Sequence, residues 1–184
     1  MNTQLWTAST FAHRLATEDD LPVLRTMMDL AIAELQRDFL DEAQIAASRL
    51  IMGLDSQLVA DRTYFILETE GRIVGCGGWS RRATLYGGDH STALRDAALL
   101  DPACDAARIR AMYTHPDFTR RGVGRQILAL CESAAAAAGF SRVELMATLA
   151  GQPLYRACGY IEIEPMLSQT ALGPVPGFRM GKAL

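Results

Sequence analysis

Hydrophobic positions change their spacing several times along this chain, and each change marks an element. Leu21, Leu24, Met28, Ala31 and Leu35 recur every three or four residues, which predicts a helix with one buried face. Thr17, Glu18, Asp19 and Asp20 stand before it as polar and acidic starters, and Pro22, tolerated in a first turn, favours a cap at Asp19. Residues 11–16 read as a first strand, and residues 1–10, without periodicity, as a frayed lead-in. Residues 41–54 predict a second helix with Ile45, Leu50 and Ile51 towards the core and Gly53 at its end. The pattern then turns β-branched and aromatic over residues 63–68, tightens at Glu70-Gly71 and returns over residues 72–79, the signature of a hairpin. Gly75, Gly77 and Gly78 inside the returning strand point to a bulge, or to another backbone or a ligand passing closely.

Residues 80–107 are the least regular stretch and long for a loop, a length that often carries function. Arg81, Arg82, Tyr86, Gly87, Gly88, Asp89 and His90 cluster there, followed by a short helix expected over 92–100 and closed by Asp101-Pro102. His90 reads as a surface loop histidine. Residues 108–114 form the next strand, and residues 126–138 a helix that buries Ile127, Leu128, Cys131, Ala134 and Ala138 and stops at Gly139. Residues 142–148 are another strand, 149–158 hold a short helix ended by Gly159, and 161–163 and 178–183 are weak strands. No repeat or low-complexity linker divides residues 11–184, so they read as one domain with 80–107 inserted between strands.

Composition narrows the function. A chain of 184 residues can bury a sizeable core in one domain. A net charge of −3 gives no support to nucleic-acid binding, which shows a basic excess. Cys76, Cys104, Cys131 and Cys158 form no C-x-x-C pair and no cluster with histidine, so neither a metal site nor a disulfide framework is expected. No apolar run approaches the roughly 20 residues that span a bilayer, and no basic-then-apolar segment opens the chain. The reading is therefore a cytoplasmic protein without a membrane partner.

Against that acidic background, Thr119-Arg120-Arg121-Gly122-Val123-Gly124-Arg125 is locally basic and joins a strand to a helix. Free N–H groups at a helix start hold phosphate oxygens, and glycines let a ligand approach the backbone. A nucleotide P-loop would need Gly-Lys-Ser/Thr here; the chain has Gly124-Arg125-Gln126.

His-Pro-Asp-Phe-Thr-Arg-Arg-Gly-Val-Gly-Arg, beginning at His115, and Leu-Tyr-Arg-Ala-Cys-Gly-Tyr, beginning at Leu154, flank one helix and one strand. In this order they resemble the GNAT superfamily of acyl-CoA-dependent N-acetyltransferases, over about residue 11 to the end. The resemblance implies an α+β, three-layer fold: a mixed, mostly antiparallel sheet with one splayed pair of strands and helices on both faces. It implies acetyl-CoA as cofactor, with its diphosphate on the frame Thr119, Arg120, Arg121, Gly122, Val123 and Gly124. Thr119 departs from the family's Gln or Arg, and Arg125 adds charge. The pantetheine arm would pair with the backbone of Met112, Tyr113 and Thr114, where one N–H meets the thioester carbonyl. Tyr155 matches the family's general acid, and Thr148 stands where an asparagine often contacts coenzyme A. The family's usual glutamate base is missing from residues 108–114, which offer Arg108 and Arg110. Glu144, alternating with apolar Val143 and Leu145, reads as facing water and His115 as structural, leaving a water relay. Arg110 reads either as a solvated strand arginine or as recognising an acidic acceptor, and Trp79, Arg81, Arg82 and Tyr86 as bordering the acceptor pocket. The acceptor is a small-molecule or peptide amine, and a homodimer is among the open oligomeric states. The alternative is an acyl-CoA-binding sensor without turnover.

Overall fold

The computed structural model describes residues 11–184, so the expected lead-in over 1–10 lies outside the described residues. The seven strands among the described residues are β1 (Ala12–Leu15), β2 (Tyr64–Thr69), β3 (Arg72–Ser80), β4 (Ala107–Thr114), β5 (Arg142–Thr148), β6 (Ile161–Ser168) and β7 (Val175–Ala183). They form one sheet in the order β1-β2-β3-β4-β5-β7-β6. Every neighbouring pair is antiparallel except β4 and β5. The helices among the described residues are α1 (Leu21–Leu35), α2 (Glu42–Ser48), α3 (Ser56–Ala60), α4 (Val123–Ala137) and α5 (Gln152–Ala157). This is the mixed, layered α+β fold that the resemblance implied.

The sheet separates two cores. On one face Val123, Ile127, Leu128, Cys131 and Ala135 of α4 pack on Leu67, Ile109, Val143 and Leu145. On the other, Leu24, Met27, Met28, Ala31 and Ile32 of α1 join Leu58 and Val59 of α3 against Tyr64, Ile66 and Tyr113. Burying each such aliphatic side chain contributes about 1.5–3 kcal/mol. The glycines of β3 explain how α4 sits so close. A Cβ on Gly75 would lie 2.3 Å from Val123 Cγ1, and one on Gly77 would lie 2.6 Å from Ile127 Cγ2. The close neighbour foreseen from these glycines is α4 itself.

Several boundaries differ from expectation. α4 begins at Val123, three residues early, and buries Ala135 while Ala134 and Ala138 are half-buried. α1 starts at Leu21 after a 3-10 turn over Glu18–Asp20. That turn is fixed by Asp20, not Asp19: its carboxylate accepts from the Thr17 amide at 2.8 Å and from Arg14 at 2.8 Å. The helix expected over 41–54 is shorter, Glu42–Ser48, and α3 follows beyond it, where no helix was foreseen. Asp41 caps α2, and the chain leaves the helix at Ser48, whose hydroxyl donates back to the Ile45 carbonyl at 2.8 Å. Ala47 and Ser48 are buried there, whereas Leu50 is exposed and Ile45 and Ile51 are half-buried. Asp55 then caps α3. The helix expected over 92–100 is a single 3-10 turn, Thr92–Leu94. Beyond it the chain runs back along its own start: Ala83 N–H donates to Ala98, and Leu100 N–H to Arg81. The last hairpin, β6 and β7, is longer than the weak strands foreseen, because Pro165, Pro176 and Gly177 blur its alternation.

Candidate active site

β4 and β5 share only two register pairs, Ala107 with Val143 and Arg108 with Glu144. They then part, and β4 continues to Thr114 while β5 stays paired with β7 through Thr148. The last pair is clasped by charge. Glu144 accepts from Arg108 at 2.6 Å and from Arg179 Nη2 at 2.7 Å. Held by two guanidinium groups, Glu144 serves the structure and has no lone base to offer. A cleft of about 800 Å³ runs through the gap from Thr119–Arg125 on the α4 face to Ile32 and Leu35 of α1 on the other.

The free part of β4 is bulged. Cys76 pairs with Tyr113 and Gly78 with Arg110, so two steps on β3 face three on β4, and neither Ala111 nor Met112 has a register partner. Ala111 adopts φ +49°, a left-handed conformation that costs a non-glycine residue about 1–2 kcal/mol. The Tyr64 hydroxyl, buried under α1, donates to the Ala111 carbonyl at 2.6 Å. C=O and N–H of one trans peptide are antiparallel, so the Met112 N–H points away from Tyr64. The bulge also moves side chains between faces. Ile109 packs on the α4 face while Tyr113, four residues on, packs under α1 and receives the Gly53 N–H on its hydroxyl.

At the cleft's other end, Arg120 (φ +62°) and Gly122 (φ +85°) are left-handed, with Arg121 between them outside that region. Such alternation turns successive N–H groups into one concavity, an anion nest. Gly122 caps α4, so the amides of Val123, Gly124 and Arg125 begin the helix without an i−4 carbonyl inside it. Arg120, Arg121 and Arg125 are exposed; among the described residues none forms a salt bridge, and Arg121 lies 5.0 Å over the Phe118 ring. Thr119 spends its hydroxyl on the Pro116 carbonyl. A Cβ on Gly124 would lie 2.7 Å from Leu154, which brings α5 against the nest.

Tyr155 of α5 lines the same cleft, packed at 5.7 Å on Tyr160, and burial pushes its phenol above the ordinary value. No described residue hydrogen-bonds its hydroxyl. Thr148 also lines the cleft, but its Oγ1 accepts the Gly151 N–H at 3.1 Å and so fixes the start of α5. Met112, Tyr113, Thr114, Thr119, Arg120, Gly122, Val123, Gly124, Arg125, Thr148 and Tyr155 thus share one cleft. Of the expected set Arg121 alone stands outside its lining.

On the α1 face the expected border is mostly corrected. Tyr86 lines the cleft, but Trp79 is buried against Phe140, Arg81 sits over Trp79, and Arg82 pairs with Asp61 at 2.7 Å. Arg110 is neither solvated nor free. It lies 2.8 Å from the Asp55 carboxylate, with both side chains nearly inaccessible, and donates to the Gly87 carbonyl at 2.6 Å. Asp55 Oδ2 has no well-aligned hydrogen bond, so the pair is a charge contact. His115 is structural, its ring tied to the Asp117 N–H and Arg72. His90 is exposed, as expected, beside a separate cleft of about 210 Å³. Tyr64 and Asp55 escaped sequence reading, because nothing local ties Tyr64 to Ala111 or Asp55 to Arg110.

A family model described as the acetyltransferase (GNAT) domain matches residues 60–162, more than half of the chain. The chain belongs to this family of acetyltransferases, whose acetyl donor is acetyl-CoA. Its fold is similar to a GCN5-related N-acetyltransferase from Rhodopseudomonas palustris, with TM-score 0.70, 20% identity and 96% of this chain on 98% of that one. It is similar to the PaiA N-acetyltransferase of Thermoplasma acidophilum in complex with coenzyme A, with TM-score 0.62, 13% identity and 95% on 99%. A ribosomal-protein-alanine N-acetyltransferase from Brucella melitensis gives 0.63, 18% identity and 94% on 99%. At these identities the likeness is one of fold. No curated protein sequence matches the chain. No described helix is long and apolar enough to cross a membrane, and no described group of His, Cys, Asp and Glu side chains has the makings of a metal site.

Proposed function

We propose that this acetyltransferase moves the acetyl group of acetyl-CoA to a primary amine by direct attack in a ternary complex. The observation that carries the reading is the parting of β4 from β5 beside a main-chain anion nest. Amides from Arg120 to Arg125 bind the diphosphate, helped by the positive end of α4 and the unpaired Arg120 and Arg125. The backbone of Met112, Tyr113 and Thr114 takes the pantetheine arm as an added strand, since β5 has turned away. The Met112 N–H donates to the thioester oxygen as negative charge grows there.

Water takes one proton from the ammonium; the amine nitrogen then attacks the thioester carbon, a C–N bond forms and the C–S bond breaks. Tyr155 gives its proton to the departing sulfur, and the second nitrogen proton passes through water to restore the Tyr155 phenol. An ordinary tyrosine titrates near ~10 and a thiol near ~8.5; burial raises Tyr155 further, so the proton stays available at neutral pH. Thr148 holds α5, and with it Tyr155, in place.

Titration of released thiol with acetyl-CoA and an amine panel tests this, with calorimetry for coenzyme A alongside. Tyr155→Phe should lower kcat about tenfold or more and leave coenzyme A affinity intact. Absence of coenzyme A binding would overturn the whole reading; unchanged turnover in Tyr155→Phe would remove only the acid role.

A further inference from the structure

We infer that the acceptor is a primary monoamine carried on an apolar, otherwise uncharged carbon frame. This rests on acetyl transfer in the cleft and adds which amine enters from the α1 face.

The walls there are Ile32, Leu35, Phe39, Met52, Leu85 and Tyr86. Phe39 is 47% exposed, an aromatic ring with one side against no core. Most polar groups near it are already engaged, Arg110 Nε being a buried donor without a hydrogen-bond partner among the described residues. Arg110 is matched by Asp55, the Gly87 carbonyl accepts from Arg110, and the Gly53 N–H donates to Tyr113. The buried Gln36 amide donates to Ser48 and Met52. Asp38 is the lining carboxylate without a cation partner among the described residues; its neighbour Arg37 pairs with Glu34.

These facts sort the acceptor classes. An acidic acceptor finds the one buried cation taken. A polyamine or amino sugar with several ammonium groups finds one counter-charge and must press the others on hydrocarbon, where unpaired charge is costly. A peptide N-terminus brings several amides to a face where most polar groups already have partners. One ammonium drawn by one carboxylate, with a hydrocarbon body against the apolar walls, matches both charge and surface.

The test measures kcat/KM with acetyl-CoA for hexylamine, 2-phenylethylamine, spermidine, kanamycin, glutamate and a short peptide with a free N-terminus. The two apolar amines should exceed the others about a hundredfold. Phe39→Ala and Leu35→Ala should each raise KM for 2-phenylethylamine about fivefold or more, with coenzyme A affinity by calorimetry unchanged, which also reports that the variants are folded. Preference for spermidine, kanamycin, glutamate or the peptide overturns the inference and leaves acetyl transfer standing. So does turnover of none of the six by an enzyme that binds coenzyme A. Loss of coenzyme A binding itself defeats the transferase reading instead.

Discussion

Removing one oxygen tests the bulge in β4. Tyr64→Phe keeps the buried ring and deletes the hydroxyl that donates to Ala111 at 2.6 Å. An acceptor stripped of its partner inside the protein costs about 1–3 kcal/mol. At about 2 kcal/mol, a protein of this size melts roughly 4–8 °C lower. The left-handed Ala111 adds a kinetic effect, because its strain of about 1–2 kcal/mol is then opposed by less. The peptide plane relaxes and the Met112 N–H spends less time aimed away from Tyr64. Complete loss of an oxyanion donor costs about 10²–10³ in rate, so partial loss should lower kcat roughly tenfold while KM for acetyl-CoA changes little. Thermal melting and steady-state thiol release read both quantities. Ala111→Gly in the same background, which tolerates the positive φ, should recover part of kcat. Should Tyr64→Phe melt with the parent and keep its kcat, the hydroxyl does not hold the plane.

Glu144→Gln should destabilise by about 1–3 kcal/mol, since Arg108 and Arg179 lose a shared carboxylate; a kcat within about twofold of the parent in the folded variant fits a structural Glu144, whereas a collapse of kcat at unchanged stability would replace the water relay with Glu144 as the base. Gly75→Ala places a Cβ 2.3 Å from Val123 and should cost about 1–3 kcal/mol, with weaker coenzyme A binding as the α4 start shifts; unchanged affinity in calorimetry would separate nest from helix seat. Arg14 holds the Asp20 carboxyl down to about 2 from an ordinary 3.8. A depressed carboxyl stabilises above its unfolded pKa and loses that contribution as pH falls through the folded one. The urea midpoint should therefore drop more between pH 4 and pH 2 in the parent than in Asp20→Asn, and parallel curves would contradict the assignment.

Much of this was legible in the residues. The β2–β3 hairpin follows from Tyr64-Phe65-Ile66-Leu67 and Glu70-Gly71, and the buried stripe of α4 from Ile127, Leu128 and Cys131. Gly75 and Gly77 announced a close neighbour without naming it. What stayed hidden depends on contacts distant in sequence. Period-two reasoning puts Ile109 and Tyr113 on one face, and only the register with β3 reveals the extra residue between them. Arg110 reads as a strand arginine until Asp55, at the start of α3, closes on it. The periodic run over 41–54 hides the end of α2, because that end depends on Ser48 turning to its own helix carbonyl. The candidate site was legible where it is made of backbone, as at Gly122, and illegible where a side chain crosses the fold, as at Tyr64.

Among the described residues, two rungs and one shared carboxylate directly lace β1–β4 to β5–β7 along the sheet. A tether lying in that fissure would act as a missing rung for both halves. Donor occupancy should therefore show up in the melting curve as well as in the rate, with slowed amide exchange along the unpaired flank of β5. The lifetime of the folded chain would then follow the supply of its own fuel.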